Sequence, residues 1–311
     1  MTRVPLPRIV IASRESALAM WQARHIQARL AELAPGTPTE ILGLTTEGDR
    51  RLDASLAKIG GKGLFVKELE EALASRRADI AVHSVKDVPM TLAPQFTLAA
   101  ICEREDPRDA FVSNRYAAVA ALPDGARIGT SSLRRECQLR ARHPALAIEP
   151  LRGNVPTRLK KLDEGRYDAV IVAAAGLKRL GLGARITRLL DPGESLPAPG
   201  QGALGVECLK GRPELLELLS GLNHGATAGC VAAERAVSRA LSGSCNVPLG
   251  AYAEARGGKL HLRAFVGAPD GSRVAADEME GPAGDPEALG AALAERLKAR
   301  GAAEILAALP Q

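Results

Sequence analysis

Two stretches of this chain repeat one alternation: a short apolar run, then an amphipathic helical one. In the first, PRIVIAS (residues 7–13) precedes ESALAMWQARHIQARLAELAP, TEILGLTTEGD follows, and LFVKELEEALASRRA leads into DIAVHSV. The second starts at ARIGT and runs through LRRECQLRARH, AIEPLRG and VPTRLKKLDEG to the wholly apolar YDAVIVAAAG. Parallel strands need a crossover of a dozen or more residues, usually a helix, so this alternation specifies parallel α/β sheets. The helix ends carry their own signals. Pro35 and Gly36 stop the first helix, Ser131 or Ser132 is placed to cap LRRECQLRARH, and Asn154 caps the next, with Pro156 in its first turn and Gly165 closing it. REDPRDAF reads as the junction between the two units, and LPAPGQGALGVE (residues 196–207) has the Pro/Gly texture of a hinge or crossover.

A third region follows ECLKGRPELLELLSGLNHG. It holds the helix TAGCVAAERAVSRAL, a small loop containing Cys245, strands around LGAYAEA and KLHLRAFVGA with GAPDG as a turn, and a helical tail. At 311 residues the chain exceeds one simple core, and two or three domains are expected.

The charge is unevenly spread. Of the net +5, residues 127–188 carry 14 Lys/Arg against 5 Asp/Glu, or +9, and the remainder carries 27 against 31, or −4. A block of this kind implies an anionic partner. It contains a single aromatic, Tyr167, and no recognisable nucleic-acid module, so a small polycarboxylate or phosphate ligand fits as well as nucleic acid, and a merely solvated basic face is the plain alternative. No apolar run reaches the ~20 residues of a membrane span, and no export signal is expected. The five cysteines form no CxxC pair and are odd in number, as expected of reduced thiols in the cytoplasm.

Basic groups recur where strands end and helices begin, the position that lines the ligand crevice of an open α/β sheet. GTSSLRR offers amides, hydroxyls and two arginines at a helix start; LRGNVPTR adds Arg152 and Arg158; Lys178 and Arg179 follow the next strand; Arg14 and Ser16 occupy the first strand–helix turn. The glycine spacing fits neither a P-loop nor GxGxxG, which disfavours a nucleotide. HSVKDVP places Asp87 just past a strand end, where a carboxylate can stabilise a cation; an isolated acid there is otherwise a solvated partner of Lys86. Lys58 and Lys62 lie in a glycine-rich loop, and Cys245 alone reads as a small buried hydrophobe.

Taken together and in order, ASRESALAMWQA, GGKGLFVKELE, DIAVHSVKDVP, EREDPRDAF, IGTSSLRR, LRGN-TRL, AGLKRLGL, LPAPGQGALGVE and the Cys245 loop resemble the porphobilinogen deaminase (hydroxymethylbilane synthase) family across essentially the whole chain. The resemblance implies two lobes like type II periplasmic binding proteins with the active site between them, plus a small α+β C-terminal domain with a three-stranded antiparallel sheet. Domain 1 would take residues 1–102 and 203–220, domain 2 residues 105–198, and domain 3 residues 225–311. It implies a transferase of tetrapyrrole (porphyrin and haem) biosynthesis, acting as a cytoplasmic monomer on porphobilinogen, without metal, nucleic acid or membrane. Cys245 would anchor one covalent dipyrromethane cofactor through a thioether, and four porphobilinogens would be joined to it with loss of ammonia before hydrolysis releases hydroxymethylbilane. The thiolate suits that anchor because sulfur is strongly nucleophilic.

The resemblance also assigns residues. Asp87, Lys86 and Arg14 are the catalytic candidates, Asp87 facing pyrrole N–H groups. Asp87, Lys86, Thr130, Ser131, Ser132, Arg134 and Arg135 would hold the cofactor; Arg14, Ser16, Gln22, Lys62, Arg152, Arg158, Arg179 and Gln201 would hold the substrate. A hexapyrrole carries twelve carboxylates, which gives the +9 block its partner. Glu15, Pro156, Ser244 and Asn246 depart from the family pattern without removing a catalytic group. Two rival readings use the same features: a non-catalytic solute-binding or effector-sensing protein, and a thiol hydrolase pairing Cys245 with His83.

Overall fold

The structure is a computed structural model and describes residues 7–50, 66–241 and 247–309. The chain divides into two compact units. Described residues 7–50, 66–104 and 203–228 form the first, and 105–202, 229–241 and 247–309 the second.

In the first unit β1 (Ile9–Arg14) leads into α1 (Ala17–Leu33), β2 (Thr39–Leu44) and the short α2 (Glu47–Arg50), followed by α3 (Lys67–Ala74), β3 (Ile80–Ser84) and β4 (Phe96–Ile101). Ser16 caps α1, its Oγ accepting from the Ala19 N–H at 3.3 Å. The helix ends at Ala34, and Gly36 takes the left-handed φ of +90° that the turn requires. Ala23, Ile26 and Leu30 recur at helical spacing and are buried with Ile9, Ile11 and Ile80 in one core cluster.

The second unit opens with β5 (Asp109–Val112), then β6 (Arg127–Gly129), α4 (Leu133–Arg142), β7 (Ala147–Glu149), α5 (Val155–Asp163), β8 (Ala169–Ala173), α6 (Ala174–Arg179) and β9 (Arg188–Leu190). Its sheet runs β7-β6-β8-β5-β9; β6 is parallel to β7 and β8, while β5 is antiparallel to β8 and β9. Asn154 caps α5, accepting from the Thr157 N–H at 2.9 Å, and Gly165 closes it at φ +73°. Ser132 is the cap residue of α4 but makes no side-chain capping bond.

The chain then returns to the first sheet with β10 (Leu204–Leu209) and α7 (Pro213–Ser220), giving the order β2-β1-β3-β10-β4. The unit boundaries fall inside both expected connections, at residues 104/105 and 202/203. REDPRDAF is more than a junction, because its DAF begins strand β5, which is wholly buried. The last four residues of LPAPGQGALGVE likewise belong to β10, antiparallel to both β3 and β4. Both strands pair with segments distant in sequence, so local periodicity carries little sign of them. The six-residue β4 also went unread in the sequence.

The remaining elements are α8 (Gly225–Ala240), β11 (Leu249–Arg256), β12 (Lys259–Gly267), β13 (Val274–Pro282), α9 (Pro286–Leu297) and α10 (Ala303–Ala307). β11-β12-β13 is an antiparallel sheet whose buried residues join those of α8 and α9 in one cluster. Asp285 caps α9, accepting from Ala288 N–H at 3.3 Å. The fold is α/β as expected: two five-stranded mixed sheets, each packed with helices, and a three-stranded antiparallel C-terminal sheet. Among the described residues no helix is long and apolar enough to cross a membrane.

Candidate functional site

In the first unit, the ends of β1 and β3 converge. β1 and β3 are parallel neighbours, so their carboxyl ends lie side by side. Arg14 ends β1, Ser16 starts α1, and the turn Val85–Asp87 continues β3. Arg14, Ser16, Gln22, His83, Ser84 and Asp87 line one small concavity. Gln22, buried in α1, donates from Nε2 to Ser84 Oγ at 2.8 Å, which fastens the helix to the strand that carries Asp87. Asp87 is half-buried, and among the described residues no side chain or backbone N–H donates to its carboxylate. Lys86, its neighbour, is half-buried as well. Glu15 turns aside: its Oε2 accepts from Thr45 Oγ1 at 2.5 Å, and its side chain lies against Gly43.

His83 points into the sheet's own chemistry. Its Nε2 stands 2.9 Å from Oε2 of Glu207, which is fully buried on β10. Burial, and then the Glu207 charge, push the carboxyl of nearby Glu70 on α3 upward.

In the second unit the GTSSLRR segment joins β6 to α4. Thr130 is buried, and its Oγ1 accepts from the Ser132 N–H at 3.2 Å. Ser131 Oγ donates to Leu151 O and accepts from Leu151 N–H, both at 3.0 Å, tying the loop to the neighbouring strand end. Arg134 and Arg135 are both buried and both turn toward one carboxylate, Asp109 at the start of β5. Arg135 donates from Nε at 3.0 Å and from Nη2 at 2.7 Å to Oδ1. Arg134 approaches Oδ2 with Nη1 at 2.9 Å and donates to Oδ1 from Nη2 at 3.2 Å. Gln201 also donates to Oδ1, at 2.9 Å, and Ser195 Oγ to Oδ2, at 2.7 Å. Burial alone would raise the Asp109 carboxyl; the Arg134 and Arg135 charges outweigh it and hold the group well below the usual range.

Arg152, Arg158 and Arg179 lie past the ends of β7 and β8. Arg158 donates from Nε to Gly153 O at 2.8 Å and Arg179 from Nη2 to Gly202 O at 2.7 Å. Arg152 keeps a buried Nε without a partner among the described residues, and burial lowers its pKa. Such a donor fits a carboxylate-bearing ligand, since a buried N–H left unsatisfied costs about 1–3 kcal/mol.

The sequence reading misses Asp109, on which Arg134, Arg135 and Gln201 converge. An acid directly before the apolar AFV was its one signal. Cys245 and Lys62 lie outside the described residues. The other four cysteines, Cys102, Cys137, Cys208 and Cys230, are buried and form no disulfide among the described residues, and among those residues no group of acids, histidines and cysteines could hold a metal ion.

Comparison with known proteins covers nearly all of this geometry. Residues 9–217 match the family model described as porphobilinogen deaminase, dipyromethane cofactor binding domain, and residues 228–299 match that of the porphobilinogen deaminase C-terminal domain. The chain is 64% identical over 302 residues to the porphobilinogen deaminase of Thiobacillus denitrificans, covering 97% of this chain and 99% of that one. It is 63% identical to those of Methylobacillus flagellatus and Nitrosomonas europaea, again over 97% of this chain and covering 97% and 98% of theirs. Among solved structures, the methionine binding protein MetQ superposes with a TM-score of 0.44 at 13% identity, over 70% of this chain and 88% of that one.

Proposed function

The chain belongs to the porphobilinogen deaminase family, and from that membership we propose which of its residues perform the family's reaction. The protein is a transferase that joins four porphobilinogen molecules into linear hydroxymethylbilane, releasing four ammonia molecules, on a covalently bound dipyrromethane. When bound, the dipyrromethane supplies the free pyrrole α-carbon from which the chain is extended. Cys245 holds it through a thioether. Lys86 and the Thr130–Ser132 loop, with the N–H groups that Arg134 and Arg135 have left after serving Asp109, receive its carboxylates. Arg14, Ser16, Gln22, Lys62, Arg152, Arg158 and Arg179 receive those of the substrate.

Gln201 is reassigned by its geometry. Its Nε2 donates to Pro107 O at 2.7 Å and to Asp109 at 2.9 Å, so we give it a supporting task rather than a substrate contact. The division into residues 1–102 with 203–220, 105–198 and 225–311 goes with this reading, the third domain carrying the thiol. So do a monomeric state and a cytoplasmic setting, where the buried thiols stay reduced.

The observation that carries the reading is the Asp87 carboxylate. It lies in a concavity with Arg14 and Ser16, and no donor among the described residues neutralises it. When the C–N bond of porphobilinogen breaks, its electron pair leaves with ammonia and positive charge spreads over the pyrrole. A fixed carboxylate beside that charge lowers the barrier without reorganising. Asp87→Asn keeps the shape and removes the charge. Losing about 3–5 kcal/mol predicts a rate fall of roughly a hundred- to several-thousand-fold in single-turnover conversion of porphobilinogen by the cofactor-loaded variant. Asp87→Glu retains part of the activity. Turnover of Asp87→Asn within tenfold of the parent would remove the electrostatic role.

A further inference from the structure

We propose that Asp109 is the positioning residue of the cofactor-binding loop, fixing Arg134 and Arg135 so that their remaining N–H groups and one surplus positive charge face the pyrrole carboxylates. The proposal rests on the carboxylate-binding role given above to the two arginines. Both open α4, where the helix dipole already presents positive charge. Two buried guanidiniums at that end repel each other and the dipole; burial, with a smaller contribution from the Arg135 charge, lowers the pKa of Arg134, and the Asp109 charge opposes this. A single carboxylate lies between them. It accepts from both arginines and from Gln201 and Ser195, so neither of its oxygens is left bare.

The charges sum to +1: two arginines against one aspartate. A second carboxylate at that point would neutralise the cluster and leave nothing to attract a ligand anion. With none, two adjacent forks would turn to whatever acceptor lay nearest. The neighbouring acids are otherwise engaged. Asp106 and Glu105 pair with Lys178 at 3.0 and 3.3 Å, and Asp106 also holds Arg108. Backbone carbonyls complete the clamp: Leu196 O accepts from Arg134 and Ile171 O from Arg135 at 3.1 Å. One residue therefore sets the direction of both guanidiniums and of the 195–201 segment.

The test uses the full chain with cofactor loading read by intact mass, and KM and kcat for porphobilinogen read on the loaded fraction. Asp109→Asn is expected to load less cofactor and to raise KM by roughly tenfold or more, with kcat changed far less, because charge-assisted pairs and their geometry are lost. Asp109→Glu restores part of that loss. In the double variant Asp109→Asn with Arg135→Lys, the losses fall well short of the product of the singles, as for two groups acting through each other. A KM within twofold of the parent in folded Asp109→Asn, or losses that multiply in the double variant, would overturn the proposal. Should Asp109→Asn not fold, Ser195→Ala removes one donor to the same carboxylate, and an unchanged KM there overturns it equally. Parental loading and turnover in both Arg134→Lys and Arg135→Lys would instead sink the carboxylate-binding role of the arginines themselves.

Discussion

Five cysteines divide into one with chemistry assigned and four without room for any. Cys137 and Cys208 are fully buried, and burial pushes both thiols up to about 11. The folded chain thus favours the protonated thiol, whereas an unfolded chain ionises it near 9.0. Their contribution is complete below pH 9 and is lost as the pH rises toward 11. Each is worth on the order of 2 kcal/mol at the upper end of that window. Thermal midpoints should therefore fall steeply between pH 9 and 11, and Cys208→Ala should flatten the slope. With Cys245 in the proposed thioether, the native holoprotein is expected to take up no iodoacetamide. Cys245→Ser should fold, lack the two-pyrrole mass and stay unlabelled; a dipyrrole mass on that variant would displace the attachment site.

Among elements, the C-terminal packing of helix on helix shows how little space a side chain can lack. Gly290 of α9 sits so close to α8 that an added Cβ would meet the Ala233 carbonyl and the Ala236 methyl. Gly290→Ala gains helix propensity but must push two helices apart, and overpacking of this kind costs about 1–3 kcal/mol. Since α8 leads directly into the segment bearing Cys245, the variant should lower the thermal midpoint by several degrees and slow cofactor loading. A midpoint equal to the parent's would show that α9 slides freely. Elements also mark the limit of what the sequence discloses. Gly36, Asn154 and Gly165 announce helix ends by rules that act within four residues, and the structure has each where those rules put it. DAFV and LGVECL announce little, because each short apolar run continues a charged or Pro/Gly-rich stretch that reads as a connection, and its partners lie far along the chain. Asp109 was hidden for the same reason. Its role depends on a strand no local pattern reveals.

At the scale of the whole molecule, the β10 return governs the order in which the protein can be made. β3 and β4 do not pair with each other; each pairs with β10, whose first residue follows the last of β4 by about 100 positions. A ribosome adding roughly 5–20 residues per second needs about 5–20 s to cross that gap. Throughout it, β3 and β4 each hold an edge of unpaired amides and carbonyls, the kind of surface that recruits other chains. The strands β5 to β9 all lie inside the gap and find their partners among themselves. The inserted stretch can therefore condense while the stretch that precedes it waits, so that nascent chains halted before residue 204 should be the most aggregation-prone population in the life of this protein.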